Sequence, residues 1–391
     1  VHSTCFIIPH FRKGEYDLGF TISYKENMAG KFELRKFSEI NLYDPFFDEL
    51  KHDYPGSATS TGFIKWFEKK SLQNKTALVF SDEAGLGAFV CIKDENEPIQ
   101  LIERFLPAVP RIKISTLRIA ERYRGQRLGE GALGLILWKW QKSMCEEIYV
   151  TVFSKHTDLI VQLEKFGFIL QGHNYDGECV YARSRKYIDY SDPYKAFPFI
   201  NPNFQKAGYL VVNDYYHDTL FPYSELKNTL QTGVAMNVTN GLSKIYVGNQ
   251  YTPPHYKIGE PVLIYRKHNG TGQKRYKSCI TSFCIVTDVI QVKQNFQCKI
   301  SFNSLLVRIG NKSVFNITEL KSKYDHDKNL IIVEMLYYGY FGEGHNINMD
   351  WLENNNLWSS NEYPTLLQLS PEQFNTILME GNIDVNNVIV N

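Results

Sequence analysis

The chain has 391 residues, of which 43% are hydrophobic and 22% charged, and its formal net charge is +1. This length exceeds what one compact core usually holds, so we expect two or three domains, and the composition excludes a disordered chain. The near-zero charge excludes nucleic-acid binding through an overall basic excess, and no apolar run reaches the roughly 18 residues that span a bilayer.

The first 30 residues form a lead-in that the sequence leaves unassigned. This segment has neither an initiator Met nor a signal-peptide pattern, so we expect the chain to be a fragment or a trimmed protein. The seven cysteines are dispersed and contain no CxxC pair, which favours reduced thiols in a cytoplasmic protein over a disulfide framework or a zinc site. We therefore expect a cytoplasmic protein without a metal.

Strand and helix patterns alternate over residues 31–185. The period-2 and period-3.6 patterns predict strands at 32–40, 76–80, 87–93, 111–120, 148–153 and 178–183, and helices at 44–54, 61–71, 129–145 and 157–166. This order predicts an α/β fold, with a mixed sheet covered by helices on both faces.

The second half of the chain has a different character. Residues 186–233 are rich in Tyr, Pro, Asn and Asp, which indicates a linker or an ordered connecting arm. From 234 to 385 we predict an α+β domain, with strands at 244–247, 261–266, 278–289 and 329–338 and helices at 316–323 and 370–380.

A loop in the first half carries the first functional prediction. The segment 119–131 leaves a predicted strand, passes through a turn rich in Gly and Arg, and enters a helix. Glycine lets backbone amides approach a ligand, and a helix start offers unpaired N–H groups and the positive end of a dipole. Arg122, Arg124 and Arg127 add cationic phosphate donors. The segment predicts a pyrophosphate site, with a surface turn of solvated arginines as the alternative.

Residues 30–185 resemble the GNAT N-acetyltransferase superfamily. The family's loop usually reads Arg-Gly-x-Gly-Ile-Gly, and Arg124-Gly-Gln-Arg-Leu-Gly129 matches it except at Arg127, where Gly is expected. The order of elements agrees, and Glu164-Lys-Phe-Gly-Phe168 resembles the family's Tyr-Glu-Lys-Leu-Gly-Phe segment. The resemblance implies an acetyl-CoA-dependent N-acetyltransferase.

By this resemblance, the loop amides hold the pyrophosphate, and the preceding strand pairs with the pantetheine arm like an added strand. The thioester lies between Ile119 and the 148–153 strand. The implied coenzyme-binding residues are Leu117, Ile119, Arg124, Gly125, Gln126, Arg127, Leu128, Gly129 and Glu130.

The catalytic groups are less clear from the sequence. Acetyl transfer to an amine needs a base, an oxyanion donor and an acid for the leaving thiolate. The family's acid is commonly a Tyr, at the position of Leu163 here, and its common Asn seven residues earlier is His156. An imidazole exchanges protons near neutral pH, so His156 is the first substitute, with a helix-terminal surface role as the alternative. Glu121 and Tyr181 are the other catalytic candidates, and Glu178 and His173 are candidates for the acceptor groove.

The basic hairpin after residue 265 carries the second functional prediction. Its cations alternate with aromatic residues, as single-stranded nucleic acid recognition requires. Residues 234–380 resemble PUA-like β-barrels of the ASCH and EVE kind, through Gly259-Glu260 and the segment 310–315. The resemblance implies nucleic-acid contacts, and the candidates are Tyr265, Arg266, Lys274, Tyr276 and Ser278. A solvated hairpin on an interaction domain is the alternative.

Three functions stay open at this stage. The first is transfer of an acetyl group to an amine, with RNA or aminoacyl-tRNA brought by the PUA-like domain. The second is a non-catalytic nucleic-acid-binding regulator, which Leu163 favours. The third is a protein-lysine acetyltransferase whose C-terminal barrel is a docking or homodimer surface.

Overall fold

The computed structural model describes residues 32–57, 61–221, 240–251, 254–359 and 361–390. The lead-in and residues 222–233 of the expected arm lie outside these residues.

The first sheet contains seven strands in the spatial order β1-β2-β3-β6-β7-β9-β8. Its strands are β1 (Phe32–Lys36), β2 (Thr76–Asp82), β3 (Gly85–Glu95), β6 (Arg111–Ile119), β7 (Glu147–Val152), β8 (Ile169–His173) and β9 (Cys179–Ser184), while β4 (Ile99–Gln100) and β5 (Phe105–Leu106) form a separate hairpin. Neighbours are antiparallel except for β6 and β7, which are parallel.

Helices cover both faces of this sheet, as expected for a mixed α/β fold. The helices are α1 (Asp48–Asp53), α2 (Phe63–Leu72), α3 (Leu128–Lys142) and α4 (Thr157–Lys165). Successive side chains of a strand point to opposite faces. Accordingly, Val90 of β3 joins the core of α3 and α4, whereas Phe89 and Cys91 join the core of α1 and α2.

The second sheet runs in the order β11-β15-β13-β12-β10-β17, with β14 and β16 paired to β13. Its strands are β10 (Ala207–Asn213), β11 (Ser243–Gly248), β12 (Pro261–Lys267), β13 (Cys279–Gln294), β14 (Gln297–Cys298), β15 (Leu330–Tyr340), β16 (Ile347–Asn348) and β17 (Gln368–Leu369). Its helices are α5 (Pro193–Ala196), α6 (Asp214–Leu220), α7 (Lys274–Lys277), α8 (Phe302–Ile309), α9 (Ile317–His326), α10 (Met349–Asn354), α11 (Pro371–Glu380) and α12 (Val385–Val388).

Two features of the second half add to the expectation. Among the described residues β11 and β17 do not pair with each other, so the sheet is not closed into a barrel. Part of the expected connecting arm belongs to this sheet, because β10 pairs in parallel with β12 and antiparallel with β17. In the sequence, β10 is a short apolar strand between segments rich in Tyr and Pro, and the strands that pair with it come later in the chain.

One hydrophobic core serves both sheets, and Trp138 of α3 is part of it. The indole Nε1 donates to the Tyr338 carbonyl of β15 at 2.7 Å. Its ring meets those of Tyr337 and Tyr340 edge-on, with centroids 5.6 and 5.5 Å apart. Burying large aromatic surface is a dominant source of stability. The two halves therefore stabilise each other through side chains from both sheets.

No helix in the described ranges is long and apolar enough to cross a bilayer. The six cysteines within these ranges are free, and all but Cys298 are buried. Burial raises the pKa of the Cys91 thiol to about 11, so this sulfur stays protonated and unreactive near neutral pH.

Candidate functional site

The central strands of the first sheet separate at their carboxyl ends. β6 pairs with β7 only from Arg111 opposite Glu147 to Ile114 opposite Val150, although β6 continues to Ile119. The register between β6 and β3 also shifts here, so that Ser115 is an extra residue in β6. A bulge bends its strand and frees ladder groups. The edge of β6 after Ser115 thus faces a gap, where its amides can pair with an extended ligand.

The loop that follows β6 brings a helix N-terminus to the end of this gap. Gly125 and Arg127 have φ values of +73° and +61°, and this turns the chain from β6 into α3. The first amide of this segment to donate along the helix is that of Gly131, to the Arg127 carbonyl at 3.1 Å. Among the described residues no acceptor is recorded for the amides of residues 127–130. A helix start with free donors suits an anion.

The three arginines of this loop have different environments. Arg124 is 70% exposed, and its ion pair with Glu121 is long, at 3.5 Å. Arg122 instead donates to the Asp82 carboxylate at 3.1 Å and to the Gly85 carbonyl at 2.9 Å. Arg124 therefore has the guanidinium that remains accessible to a ligand.

Arg127 points away from the gap and into the C-terminal half. Its Nη2 donates to Glu130 Oε1 at 2.8 Å and to Ser243 Oγ at 2.7 Å, and it also contacts the Ser243 carbonyl. The Ser243 amide and hydroxyl donate to the same Glu130 oxygen at 2.6 and 2.9 Å. Burial alone would raise the pKa of Glu130, but the charges of Arg127 and Lys165 and the Ser243 amide lower it to about 2. The carboxylate therefore stays ionised.

A second cluster connects the two sides of the gap. Asp53, at the end of α1, lies 3.1 Å from Nε2 of His156, which follows β7. Glu49 on the same helix pairs with Arg118 of β6. Burial raises the pKa of Asp53, but hydrogen bonds from Lys155, His52 and His156 lower it below its ordinary value. Asp53 is thus a charged partner that orients the imidazole.

The same cluster has the composition of a cation site. Ligand atoms of Glu49, Asp53 and His156 lie within 4.8 Å of one another. Arg118 and Lys155 already pair with the two carboxylates, however. Their positive charges make an ion-pair hub the simpler description.

The three catalytic candidates are held by different partners. His156 contacts Asp53, as described above. The Tyr181 hydroxyl donates to Glu164 at 3.1 Å, and burial together with that carboxylate raises the pKa of the phenol. Glu121 is 78% exposed beside Arg124. The structure joins His156 to the gap through α1. Within the described part of the chain, Glu121 and Tyr181 have no contact in common with His156.

Residues proposed for the acceptor groove lie on the last two strands and their connection. Glu178 is buried, accepts from the Tyr54 hydroxyl at 2.7 Å and from Asn174 at 2.8 Å, and precedes β9. His173 lies on β8 opposite Cys179. Leu163 on α4 is fully buried, so the position of the expected tyrosine faces the core.

The second half contains a cavity of about 470 Å³, which is lined by Trp358 and Arg275 and by none of the five proposed nucleic-acid residues. Tyr265 is buried and stacks on Trp358, which lines the cavity, at 4.5 Å. Ser278 is buried and accepts from the His268 amide at 3.0 Å. Arg266 forms two hydrogen bonds to Asp218, at 2.8 and 2.9 Å.

Lys274 and Tyr276 are exposed. Arg275, which lines the same cavity, pairs with Asp350 at 2.5 Å and with Glu353 at 2.8 Å. Carboxylates thus neutralise two of the hairpin arginines, while Lys274 stays accessible.

Sequence reasoning missed the residues that come to the site from distant parts of the chain. Asp53 precedes its partner His156 by 103 residues, and Asn311 follows the loop carbonyl that it binds by 186 residues. Local patterns contain no signal for such pairs. The one available signal for a distant contact was Arg127, which stands where the loop of the resembled family usually has Gly.

No protein-family model and no curated protein matches the chain. Among solved structures, ASCH from Zymomonas mobilis is 11% identical, with a TM-score of 0.29, over 44% of this chain and 94% of that one. Arabidopsis thaliana Naa50, in complex with the bisubstrate analogue CoA-Ac-MVNAL, is 20% identical, with a TM-score of 0.27, over 39% and 98%. Ard1 from Thermoplasma volcanium is 12% identical, with a TM-score of 0.28, over 40% and 97%. Each neighbour covers part of the chain, and likenesses at these TM-scores carry no argument about its activity.

Proposed function

We propose that this chain is an acyltransferase that moves an acetyl group from acetyl-CoA to an amine. The observation that supports this most is the gap between β6 and β7, which opens beside the free amides of residues 127–130. The diphosphate of acetyl-CoA would bind these amides, with Arg124 adding charge. The pantetheine arm would pair along Leu117 and Ile119 and place the thioester in the gap.

The reaction requires a proton acceptor close to the amine. The amine nitrogen attacks the thioester carbon, the C–S bond breaks, and the sulfur leaves with a proton. Before it attacks, the ammonium form of the amine must lose a proton. His156 is the proposed base, because Asp53 holds its Nε2 and leaves Nδ1 to accept. This tautomer follows from the hydrogen bond.

Transfer also needs a group that returns a proton to sulfur. Leu163 is buried and aliphatic, so it supplies no proton. Tyr181, whose hydroxyl donates to Glu164, and exposed Glu121 are the two candidates for this acid.

The acceptor amine belongs, in this proposal, to an RNA or an aminoacyl-tRNA that binds the second half. The support is the exposure of Lys274 and Tyr276, which flank Arg275 of the cavity lining in the sequence. The pairing of Arg266 and Arg275 with carboxylates reduces the charge available for phosphates. RNA that copurifies with the wild-type protein and is lost with Lys274→Ala would support this acceptor. A protein free of RNA would favour a protein lysine.

Binding of acyl-CoA without transfer is the second candidate function. It is favoured by Leu163, because the residue at this position cannot protonate a thiolate. Turnover separates the two candidates, since a binding module would release no free CoA from acetyl-CoA in the presence of amines.

Calorimetric titration with acetyl-CoA tests the proposed function. We expect wild type to bind in the micromolar range, at about −8 kcal/mol. Arg124→Ala combined with Gly129→Ala should abolish the heat, because it removes the exposed cation and adds a methyl group at the helix start. Glu33→Ala, on the edge strand β1, is the matched control and should bind as wild type does. Equal heats from wild type and the double variant would refute the loop as the site.

A further inference from the structure

The loop that we propose to bind the diphosphate is fixed by contacts with the other half of the chain. The Asn311 side chain, which comes between α8 and α9, donates to the Gly125 carbonyl at 2.7 Å. The Asn311 carbonyl in turn accepts from Nη1 of Arg127 at 3.4 Å. Asn311 thus contacts the loop at both of its residues with positive φ.

The far end of the loop is fixed in the same way. Arg127 and Glu130 bind Ser243, the first residue of β11, through three hydrogen bonds of 2.6 to 2.9 Å, and Arg127 also donates to Glu130 at 2.8 Å. Their side chains are only 10% and 9% exposed. A hydrogen bond to a charged, buried partner is stronger and more directional than one at the surface. The loop is therefore held between β11 and the 310–313 turn.

The backbone at residue 127 shows why this arrangement is unusual. An L residue rarely adopts φ of +61°, and glycine does so without a steric penalty. The guanidinium contacts compensate for this strain. Glycine at this position would keep the backbone turn but lose every contact with Ser243 and Asn311.

We propose that the coenzyme site is completed by the C-terminal half, with Arg127 and Asn311 as positioning residues that set the loop amides for the diphosphate. This inference rests on the proposed function. A loop fixed before binding loses less conformational freedom when the ligand arrives, so affinity rises without a new ligand contact. The second half thereby controls the affinity of a site on the first half.

Binding of three probes by the full chain tests this inference. The probes are CoA, ADP, which has the adenosine and the diphosphate without the pantetheine arm, and pantetheine, which lacks the diphosphate. We expect Arg127→Gly to weaken CoA and ADP binding about tenfold and to leave pantetheine binding unchanged. Asn311→Ala should act in the same direction and serves if Arg127→Gly fails to fold. Arg35→Ala, which removes an arginine paired with Glu33 on β1, is the control.

The possible outcomes distinguish a failure of the proposed function from a failure of the positioning role. Wild type that binds no CoA overturns the proposed function and this inference with it. Wild type that binds CoA, with Arg127→Gly and Asn311→Ala binding it equally well, overturns the positioning role alone. Equal weakening of all three probes also overturns it, because a general loss of structure would affect pantetheine as well.

Discussion

Replacing Glu130 by glutamine isolates the energy of the buried carboxylate between the two halves. The pKa of this group falls from an ordinary 4.5 to about 2 on folding. Each pKa unit corresponds to about 1.4 kcal/mol, so the ionised carboxylate contributes about 3 kcal/mol at pH 7. Glutamine has nearly the shape of glutamate without the charge of the carboxylate. Glu130→Gln should therefore lower the free energy of unfolding by about this amount at pH 7.

The pH dependence of this loss has a definite sign. A lowered carboxyl pKa stabilises the folded state above the unfolded-state pKa, and this contribution is lost as pH falls toward the folded-state value. Between pH 7 and pH 3 the difference between wild type and Glu130→Gln should shrink from about 3 to about 1 kcal/mol. Urea unfolding curves at both pH values measure it.

Glu121→Gln is the matched control for this experiment. Its side chain is 78% exposed, with one long ion pair to Arg124. Such a pair contributes about 0 to 1 kcal/mol, so little change is expected at either pH. A Glu130→Gln variant as stable as wild type at pH 7, or a difference that does not change with pH, would refute the reasoning.

Two further predictions concern catalysis and the contact between the halves. Asp53→Asn should lower kcat about tenfold or more and shift the pH–rate profile, because it releases His156. KM for acetyl-CoA should stay unchanged. A kcat and a pH–rate profile equal to those of wild type would remove Asp53 from the mechanism. Gly131→Ala should cost about 1–3 kcal/mol of unfolding free energy, because its Cβ would lie 2.1 Å from the Asn240 carbonyl oxygen. Gly129→Ala, whose Cβ meets its nearest neighbour at 3.7 Å, is the control, and equal stability of the two variants in urea would contradict the described contact.

The sequence predicted best those features that depend on neighbouring residues. The periodicity over 129–145 located α3, and the Gly- and Arg-rich turn located the loop in front of it. The apolar runs of the first half located its six predicted strands, although β8 was missed because it is only five residues long and ends in Gln171, Gly172 and His173. Residue types and spacings within one element determine these features, so they can be inferred without tertiary information.

Features that depend on distant contacts could not be predicted. β10 was interpreted as part of an arm because its pairing partners, β12 and β17, lie far along the chain. The sheet edges that leave the second sheet open follow from the strand order, which periodicity does not determine. Arg127 was assigned to phosphate on its charge, whereas its guanidinium binds Ser243. The sequence of the loop alone contains no information about this partner in the second half.

The contacts of Trp138 restrict which domains could replace the C-terminal half of this chain. A replacement for the C-terminal half would have to offer a backbone carbonyl to the indole nitrogen and two tyrosine edges to its ring, in the places that β15 now provides. A cassette taken from another gene would leave a cavity or a clash at that spot. Exchange of either half would therefore require matching changes in the side chains that meet at Trp138.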